Sequence, residues 1–294
     1  MPEGHSIHRL AAQFNSVFAG ERLAVSSPQG RFAAGAALID GEKLEAAHAH
    51  GKQLFLEFSN GLVLRVHLGL YGAWDFGGDS TFRGSSSIGA PRRVGEREMY
   101  DDGAPVAYSG PPEPVGQVRA RLVSSHGWAD LRGPTACEVL TGAERDAVVG
   151  RLGPDPLDPG ADAQSFIERV RAKKTAVGTL LMDQSVVAGV GNIYRAESLF
   201  RQGISPYAPG KSLSADEVQA LWQDLVGLLQ DGVRDGRIVT TRPSDRFEPE
   251  GAAAATDAHY VYQRQGQDCR VCTAGIRLDD MGGRKLYWCP GCQQ

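Results

Sequence analysis

Cys269-Arg270-Val271-Cys272 and Cys289-Pro290-Gly291-Cys292 close the chain as two Cys-x2-Cys knuckles with 16 residues between them. That spacing is the pattern of a four-thiolate zinc site. The residues between the knuckles fit a β-hairpin turning at Met281-Gly282-Gly283, which sets Arg284 and Lys285 next to its tip. The metal would order a segment too small to have a core of its own. Most such ribbons are structural clips with no catalytic part. The chain has five cysteines and the fifth, Cys137, stands alone. This clustering points to metal binding in a reducing cytoplasm rather than to disulfides.

Working back from the ribbon, Arg237 to Ala258 is polar with an Ala-rich piece and reads as a flexible loop. Before it the last long helix is well announced. Ser214 and Glu217 form a capping box, Leu213 and Val218 stand where a hydrophobic staple needs them, and Leu221, Leu225 and Leu228 carry a buried stripe to about Gly232. Further upstream, Asp183-Gln184-Ser185-Val186-Val187-Ala188-Gly189-Val190-Gly191-Asn192 turns into a helix with Ile193, Ala196, Leu199 and Phe200 inward. Glycines at a helix start leave backbone N–H groups that suit a phosphate, although taken alone they are a weak signal and a plain helix cap is the more usual reading. A helix over roughly Gln164 to Ala172 and a short apolar one over Ala176 to Met182 open this half, joined by the basic step Arg169, Arg171, Lys173 and Lys174.

In the first half, Gly51 to Leu68 reads as a hairpin. Leu54, Leu56 and Phe58 alternate, Asn60-Gly61 supplies the turn, and Leu62, Leu64, Val66 and Leu68 alternate in reply. Lys52 sits at the mouth of the first strand, either a solvated strand-end lysine or a functional one. Leu68-Gly69-Leu70-Tyr71-Gly72 suggests a tight loop projecting two large side chains. Such a pair is usually core, but in a protein that opens duplex DNA it serves as a wedge. From about Gly77 to Gly116 the composition shifts to Gly, Ser, Pro and mixed charge, as in a long surface loop; Arg92, Arg93 and Arg97 lie there among Glu96, Glu98, Asp101 and Asp102. Val118, Ala120 and Leu122 alternate with Arg119 and Arg121, which places both arginines on the open face of a strand. Cys137 to Val149 has helical spacing and Gly153-Pro154-Asp155-Pro156 ends it. The expected division is therefore 1–130, a linker at 131–160, a helical domain at 161–235, and a loop with the ribbon at 236–294.

The other end, Met1-Pro2-Glu3-Gly4-His5, carries the chemistry. Methionine removal before proline would leave a secondary α-amine with a pKa near ~8, well below a lysine's ~10.4, so a useful fraction is unprotonated at neutral pH. Condensed with an aldehyde carbon, a secondary amine gives an iminium that is charged at every pH. Glu3 beside it can shuttle protons. Ile7, Leu10, Ala11, Phe14, Val17 and Phe18 follow at helical spacing, so a helix from Ser6 to Phe18 would hold the terminus against the domain. Without that helix the same residues would simply fray. With 294 residues, 41% hydrophobic content and a net charge of −4, the chain has room for two domains and shows no basic excess. It has no long apolar run for a membrane and no signal-peptide core, so a cytoplasmic protein is expected.

Taken together these pieces resemble the formamidopyrimidine-DNA glycosylase and endonuclease VIII family of base-excision repair enzymes over nearly the whole chain. The motifs that carry the resemblance are Pro2-Glu3-Gly4, Lys52, Asp183 through Gly191-Asn192-Ile193-Tyr194 to Glu197, and the ribbon with Arg284 five residues before Cys289. The resemblance implies an N-terminal β-sandwich with flanking helices, a helix-two-turn-helix domain and a structural zinc ribbon, acting as a monomer on damaged double-stranded DNA. It implies Pro2 as the nucleophile, Glu3 as the proton-transferring carboxylate and Lys52 and Arg284 as phosphate-contacting catalytic residues. Asn192, Glu197 and Arg284 would meet DNA, and Leu70 with Tyr71 would fill the gap left by an extruded base. The Pro-Glu-Gly start and contiguous wedge look like the endonuclease VIII branch, directed at oxidised pyrimidines. The Asp-Pro-Arg-Arg-Phe-Gly-type loop usual in the guanine-directed branch is missing. Ser6 stands where that first branch often has a second glutamate, and Gly69 where it often has glutamine before the wedge. A guanine-directed glycosylase, a silent nucleic-acid-binding protein and a zinc-ribbon scaffold are the rival readings. Pure binding needs neither Pro2, Glu3 nor Lys52, and a scaffold leaves Arg284 unexplained.

Overall fold

The computed structural model describes residues 2–90, 110–249, 251 and 253–294. The chain divides into two compact units, Met1–Gly150 and Arg151–Gln294. Among the described residues no helix is long and apolar enough to cross a membrane.

The first unit opens on helix α1 (Gly4–Phe18), whose Ile7, Leu10, Phe14 and Phe18 are buried as the helical spacing predicts. Strand β1 (Ala24–Ser26) and helix α2 (Ala33–Ile39) follow. Next come β2 (Leu44–His50), β3 (Gln53–Phe58) and β4 (Leu62–His67), then β5 (Ala73–Gly78) and β6 (Ser87–Gly89). Strands β7 (Val118–Val123), β8 (Gly127–Arg132) and β9 (Ala136–Thr141) and helix α3 (Gly142–Val149) complete the unit. Two antiparallel sheets result, in the orders β1-β7-β8-β5-β6 and β2-β3-β4-β9. One apolar cluster joins α1 to inward residues of both sheets, among them Leu54, Leu56, Leu64, Val66, Trp74, Leu122 and Leu131. This is the expected β-sandwich with flanking helices.

The β3–β4 hairpin forms as the alternation requires, but its turn has three residues, Ser59-Asn60-Gly61. Gly61 takes φ +79° and the Asn60 side chain accepts from the Leu62 N–H. Three other readings change. Cys137 to Val149 is not one helix: residues 136–141 pair with β4 as strand β9, and the helix begins only where Thr141 and Glu144 make a capping box. The β-branched and mixed residues of 136–141 match either period over so short a run, and the open edge of β4 decides for a strand. Arg121 does not lie on an open face, because its guanidinium is buried in a two-pronged pair with Asp130, Nε to Oδ1 at 2.7 Å and Nη2 to Oδ2 at 2.8 Å. Within 77–116, Gly77 and Gly78 end β5 and 87–89 form β6, so part of the stretch read as a loop is sheet; Arg92, Arg93 and Arg97 with their acidic neighbours lie outside the described residues.

The second unit is helical, then irregular, then a ribbon. Its helices are α4 (Ala163–Arg171), α5 (Val177–Leu180), α6 (Asn192–Arg201) and α7 (Ala215–Asp235). The Ser214–Glu217 capping box is present in both directions, and Gly236 ends α7 at φ +71°. Phe166, Val170, Leu180, Tyr194, Leu221 and Leu225 lie in one shared core. Strands β10 (Arg277–Met281) and β11 (Arg284–Trp288) form the expected hairpin, with Gly282 and Gly283 at its tip. The polar segment 237–258 is not simply a flexible loop. Thr240 N–H donates to Ala258 O at 2.8 Å and Thr241 Oγ1 to Asp257 O at 2.6 Å, which closes the segment on itself. Polar composition concealed this, because the order comes from hydrogen bonds rather than from an apolar stripe.

Candidate active site

The chain terminus is buried. Every residue from Pro2 to Ile7 lies under the surface, and Glu3 is 0% exposed. Glu3 holds extended backbone at the head of α1 and its side chain makes no capping bond; its carbonyl accepts from the Ser6 N–H at 3.0 Å. The carboxylate sits where the helix dipole favours negative charge. His5 is buried as well, and its Nε2 lies 3.1 Å from Ser6 Oγ. Burial first, then the charge of Arg9, lowers its pKa to about 3, so the imidazole beside this terminus is neutral.

Lys52 is the second residue of a two-residue turn, since His50 and Gln53 pair directly across it. Gly51 supplies the positive φ of +57° that this turn needs. The lysine is half-buried. Its charge helps to hold the pKa of His67 below the ordinary range, after burial, the larger cause. His67 lies opposite Gln53 on β4, so Lys52 serves the sheet's β4 side and is not a solvated strand end.

Leu70 and Tyr71 project from the β4–β5 turn, 41% and 82% exposed, which rules out the core reading for the pair. The turn is closed by Gly72 N–H donating to Leu68 O at 3.0 Å. Gly69 has φ +68°, and a Cβ there would stand 1.8 Å from Thr135 Oγ1. A glutamine there would be strained by the positive φ and would require Thr135 to move.

In the second unit Asn192 opens α6 and its Nδ2 donates to Lys285 O at 2.9 Å. The amide thereby fastens the helix start to the hairpin. Arg195, one turn on and 0% exposed, donates through Nη2 to Asn192 Oδ1 and to the same Lys285 O at 2.9 Å. Arg284, next to Lys285, is exposed at the start of β11. Glu197, expected to meet DNA, is 0% exposed, and its carboxylate is met from within the protein. The N–H groups of Tyr260, Val261 and Tyr262 donate to it at 2.7, 2.8 and 2.7 Å, and Thr240 Oγ1 adds a fourth bond. A helix-borne glutamate followed 43 residues later by Thr240 gives no local signal of such a clamp.

The four sulfurs of Cys269, Cys272, Cys289 and Cys292 all lie within 4.8 Å of one another. Cys269 Sγ is 3.8 Å from Cys292 Sγ, and Cys272 Sγ is 3.4 Å from Cys289 Sγ. Tetrahedral thiolates around a zinc ion stand about 3.8 Å apart, given Zn–S near 2.3 Å. The donor set can therefore hold a metal. Arg270, inside the first knuckle, pairs with buried Asp257 at 2.9 Å and donates to Thr256 O at 2.7 Å, joining the ribbon to the 237–258 segment. Sequence reasoning missed Arg195 and Arg270. The available signal was an arginine three residues after Asn192 in a helix buried nearly all round.

Two family models match the chain: the formamidopyrimidine-DNA glycosylase N-terminal domain over residues 1–112 and the formamidopyrimidine-DNA glycosylase H2TH domain over 152–243. The chain belongs to the formamidopyrimidine-DNA glycosylase and endonuclease VIII family, DNA glycosylases of base-excision repair. It is 43% identical to Endonuclease 8 1 of Mycobacterium tuberculosis (strain H37Rv) over 293 residues, with 100% of both chains covered. It is 31% identical to the formamidopyrimidine-DNA glycosylase of Bordetella petrii, again over 100% of both. Among solved structures, the MutM (Fpg) protein of Thermus thermophilus shares the fold with a TM-score of 0.72 at 24% identity, covering 99% of this chain and 98% of that one. Lactococcus lactis Fpg, solved with DNA containing an abasic site, gives 0.73 at 19% identity over 99% of each.

Proposed function

We propose that this chain is a bifunctional DNA glycosylase and abasic-site lyase that acts on damaged duplex DNA through the nitrogen of Pro2. The observation that carries this reading is the burial of Pro2 and Glu3 at the head of α1 in a member of this family. A proline that merely began the chain would fray. Once Met1 is removed, the Pro2 amine attacks the sugar's anomeric carbon; the base departs and takes a proton. Glu3 takes up the proton that the attacking nitrogen sheds and passes it to the ring oxygen, while the departing base takes its own proton from water; the sugar opens and leaves a carbon–nitrogen iminium, positive at every pH. That charge is the electron sink for elimination. A proton leaves the adjacent carbon and the 3′-phosphate departs, then the 5′-phosphate follows by δ-elimination. Lys52 and Arg284 contact the phosphates. Leu70 and Tyr71 fill the stack where the nucleotide has been extruded, which is the use for which an exposed pair on a braced turn is suited. Zinc, held by Cys269, Cys272, Cys289 and Cys292, orders the hairpin that carries Arg284. The enzyme works as a monomer in the cytoplasm.

The preferred lesions are oxidised pyrimidines. Supporting this are the full-length similarity to a protein named Endonuclease 8 1, the Pro-Glu-Gly start, the contiguous wedge and the missing arginine–phenylalanine loop. Thymine glycol, dihydrouracil and 5-hydroxypyrimidines in duplex should be excised faster than 8-oxoguanine opposite cytosine; the opposite order would move the chain to the guanine-directed branch. Borohydride trapping on abasic DNA tests the mechanism. The adduct should map to Pro2, and a retained Met1 or N-terminal tag should abolish it, because that nitrogen is then an amide. An adduct on Lys52, or trapping with Met1 in place, would overturn the proposal.

A further inference from the structure

Arg195 is an arginine with no exposed surface on a helix whose residues from Asn192 to Phe200 are all buried. Burying a guanidinium is costly unless its donors are met, so the partners it finds report what the charge is for. Two of those partners meet at one place. Nη2 donates to Lys285 O at 2.9 Å and to Asn192 Oδ1, while the Asn192 amide donates to the same Lys285 carbonyl at 2.9 Å. Nη1 reaches back to Gly178 O at 3.4 Å, at the start of α5. One carbonyl at the hairpin tip is thus held by two donors from the first turn of α6, and one guanidinium spans α5, α6 and β11.

The hairpin is also held lower down. Asp279 accepts from Trp288 Nε1 at 2.7 Å and from Tyr207 Oη at 2.5 Å, and Tyr207 packs edge-on against Trp288. That second tether spans the strands of the hairpin. It does not fix the register of the tip against α6, which Arg195 and Asn192 do through Lys285.

We infer that Arg195 is a positioning residue: by holding the Lys285 carbonyl against the start of α6, it sets the direction of the neighbouring Arg284 side chain, and so the phosphate grip depends on a guanidinium that does not itself reach DNA. This rests on the reading of Arg284 as a phosphate contact. A lysine at 195 keeps the charge, but its single nitrogen cannot stand at both Nη1, which meets Gly178 O, and Nη2, which meets Asn192 Oδ1 and Lys285 O. Arginine is therefore required for the bridge, not merely for the charge.

The test uses the full-length metal-loaded protein and a duplex carrying a tetrahydrofuran abasic analogue, with Arg195→Met, Arg195→Lys, Arg284→Ala and the double variant Arg195→Met/Arg284→Ala. Arg284→Ala should weaken binding about tenfold or more, the size of one lost charge-assisted hydrogen bond. Arg195→Met should weaken it by a comparable factor and lower the salt dependence by about one phosphate contact. The double variant should bind no more weakly than Arg284→Ala, since both changes remove one grip. Bound metal should stay stoichiometric in all of them. Arg195→Lys guards against a variant that fails to fold: it should melt closer to wild type than Arg195→Met, yet still lose affinity and salt dependence. Multiplicative losses in the double variant, or wild-type affinity and salt slope in a folded Arg195→Lys, would overturn the inference. Unchanged affinity in Arg284→Ala would instead overturn the reading on which it rests.

Discussion

The first six described residues and the last two dozen are held in place by opposite means. Residues 2–7 are fixed by an apolar seam: Ile7 and Leu10 are buried with Phe14 and Trp74, and the polar groups Glu3 and His5 go under with them. The hairpin 277–288 shares a smaller apolar cluster, in which Tyr287 and the preceding Ile276 meet Ala196, Phe200, Tyr260 and Val261. Its order rests as well on a cluster of four cysteines, on buried Arg195 and Arg270, and on the Glu197 carboxylate that gathers the 260–262 backbone. Hydrophobic burial fixes a segment through many contacts, no one of which decides its place. Polar clamps fix position through particular atoms, so each is vulnerable to a single substitution. Burial therefore suits a reactive terminus, and clamps suit an exposed cation that must point one way.

The largest effect should come from the metal. Structural zinc contributes on the order of 10–16 kcal/mol to domains of this size. Cys272→Ser, or chelation, should release the ion and expose the backbone of 269–292 to hydrogen exchange, while amides of 4–18 keep their protection. Native protein without bound metal would end the zinc proposal. Loss of protection at both ends together would break the contrast between them.

Glu197→Ala comes next. It strands three buried N–H donors and one hydroxyl and should cost at least about 3 kcal/mol, read from the urea midpoint, because bonds to charged acceptors are worth about 1.5–3 kcal/mol each. Glu197→Gln keeps one acceptor oxygen and should lose less. If either variant retained stability but lost DNA affinity, the residue would return to the DNA-facing role that the sequence reading assigned it.

Glu197 marks the limit of what could be read beforehand. The period-2 alternation of 54–68, the Ser214–Glu217 box and the Cys-x2-Cys spacing are local signals, each written within a few residues, and each became the expected element. Glu197 and Arg195 depend on partners at 240, 260–262 and 285, and nothing near them in sequence names those partners. Residues 136–141 fit a helical period until the open edge of β4 is known. The wedge lies between these cases. Two glycines announced the turn, but only the folded chain shows that Leu70 and Tyr71 point outward and that Gly69 holds a positive φ beside the Thr135 side chain.

The wedge prediction is correspondingly selective. Replacing Leu70 and Tyr71 by alanine should slow excision of an intact lesion from duplex by the share of the unstacking cost they carry, out of a few kcal/mol in all. Cleavage at a preformed abasic site should change little, since no base remains to extrude. The melting temperature should hold, because neither side chain is buried. Equal losses on both substrates would mean that the pair acts in binding generally rather than in extrusion.

The smallest effect concerns His5 and probes the apolar side of the contrast. Folding lowers its pKa from 6.5 to about 3, chiefly by burial and then by Arg9. As pH falls through 6.5 the unfolded chain binds a proton that the native chain refuses. The stability due to keeping His5 neutral is thus fully present above pH 6.5 and declines as pH drops toward 3, by no more than about 1.4 kcal/mol per pH unit. His67, also lowered by burial, contributes with the same sign, so the wild-type slope alone does not isolate His5. The difference between wild type and His5→Gln does. Urea midpoints at pH 7.5, 6 and 5 should fall more steeply for wild type than for the variant. Borohydride trapping should show no step near pH 6.5 that His5→Gln removes, because a neutral imidazole has nothing to titrate there. Parallel stability curves would mean that position 5 is open to water, and a terminus open at position 5 would not hold Glu3 out of solvent two residues earlier.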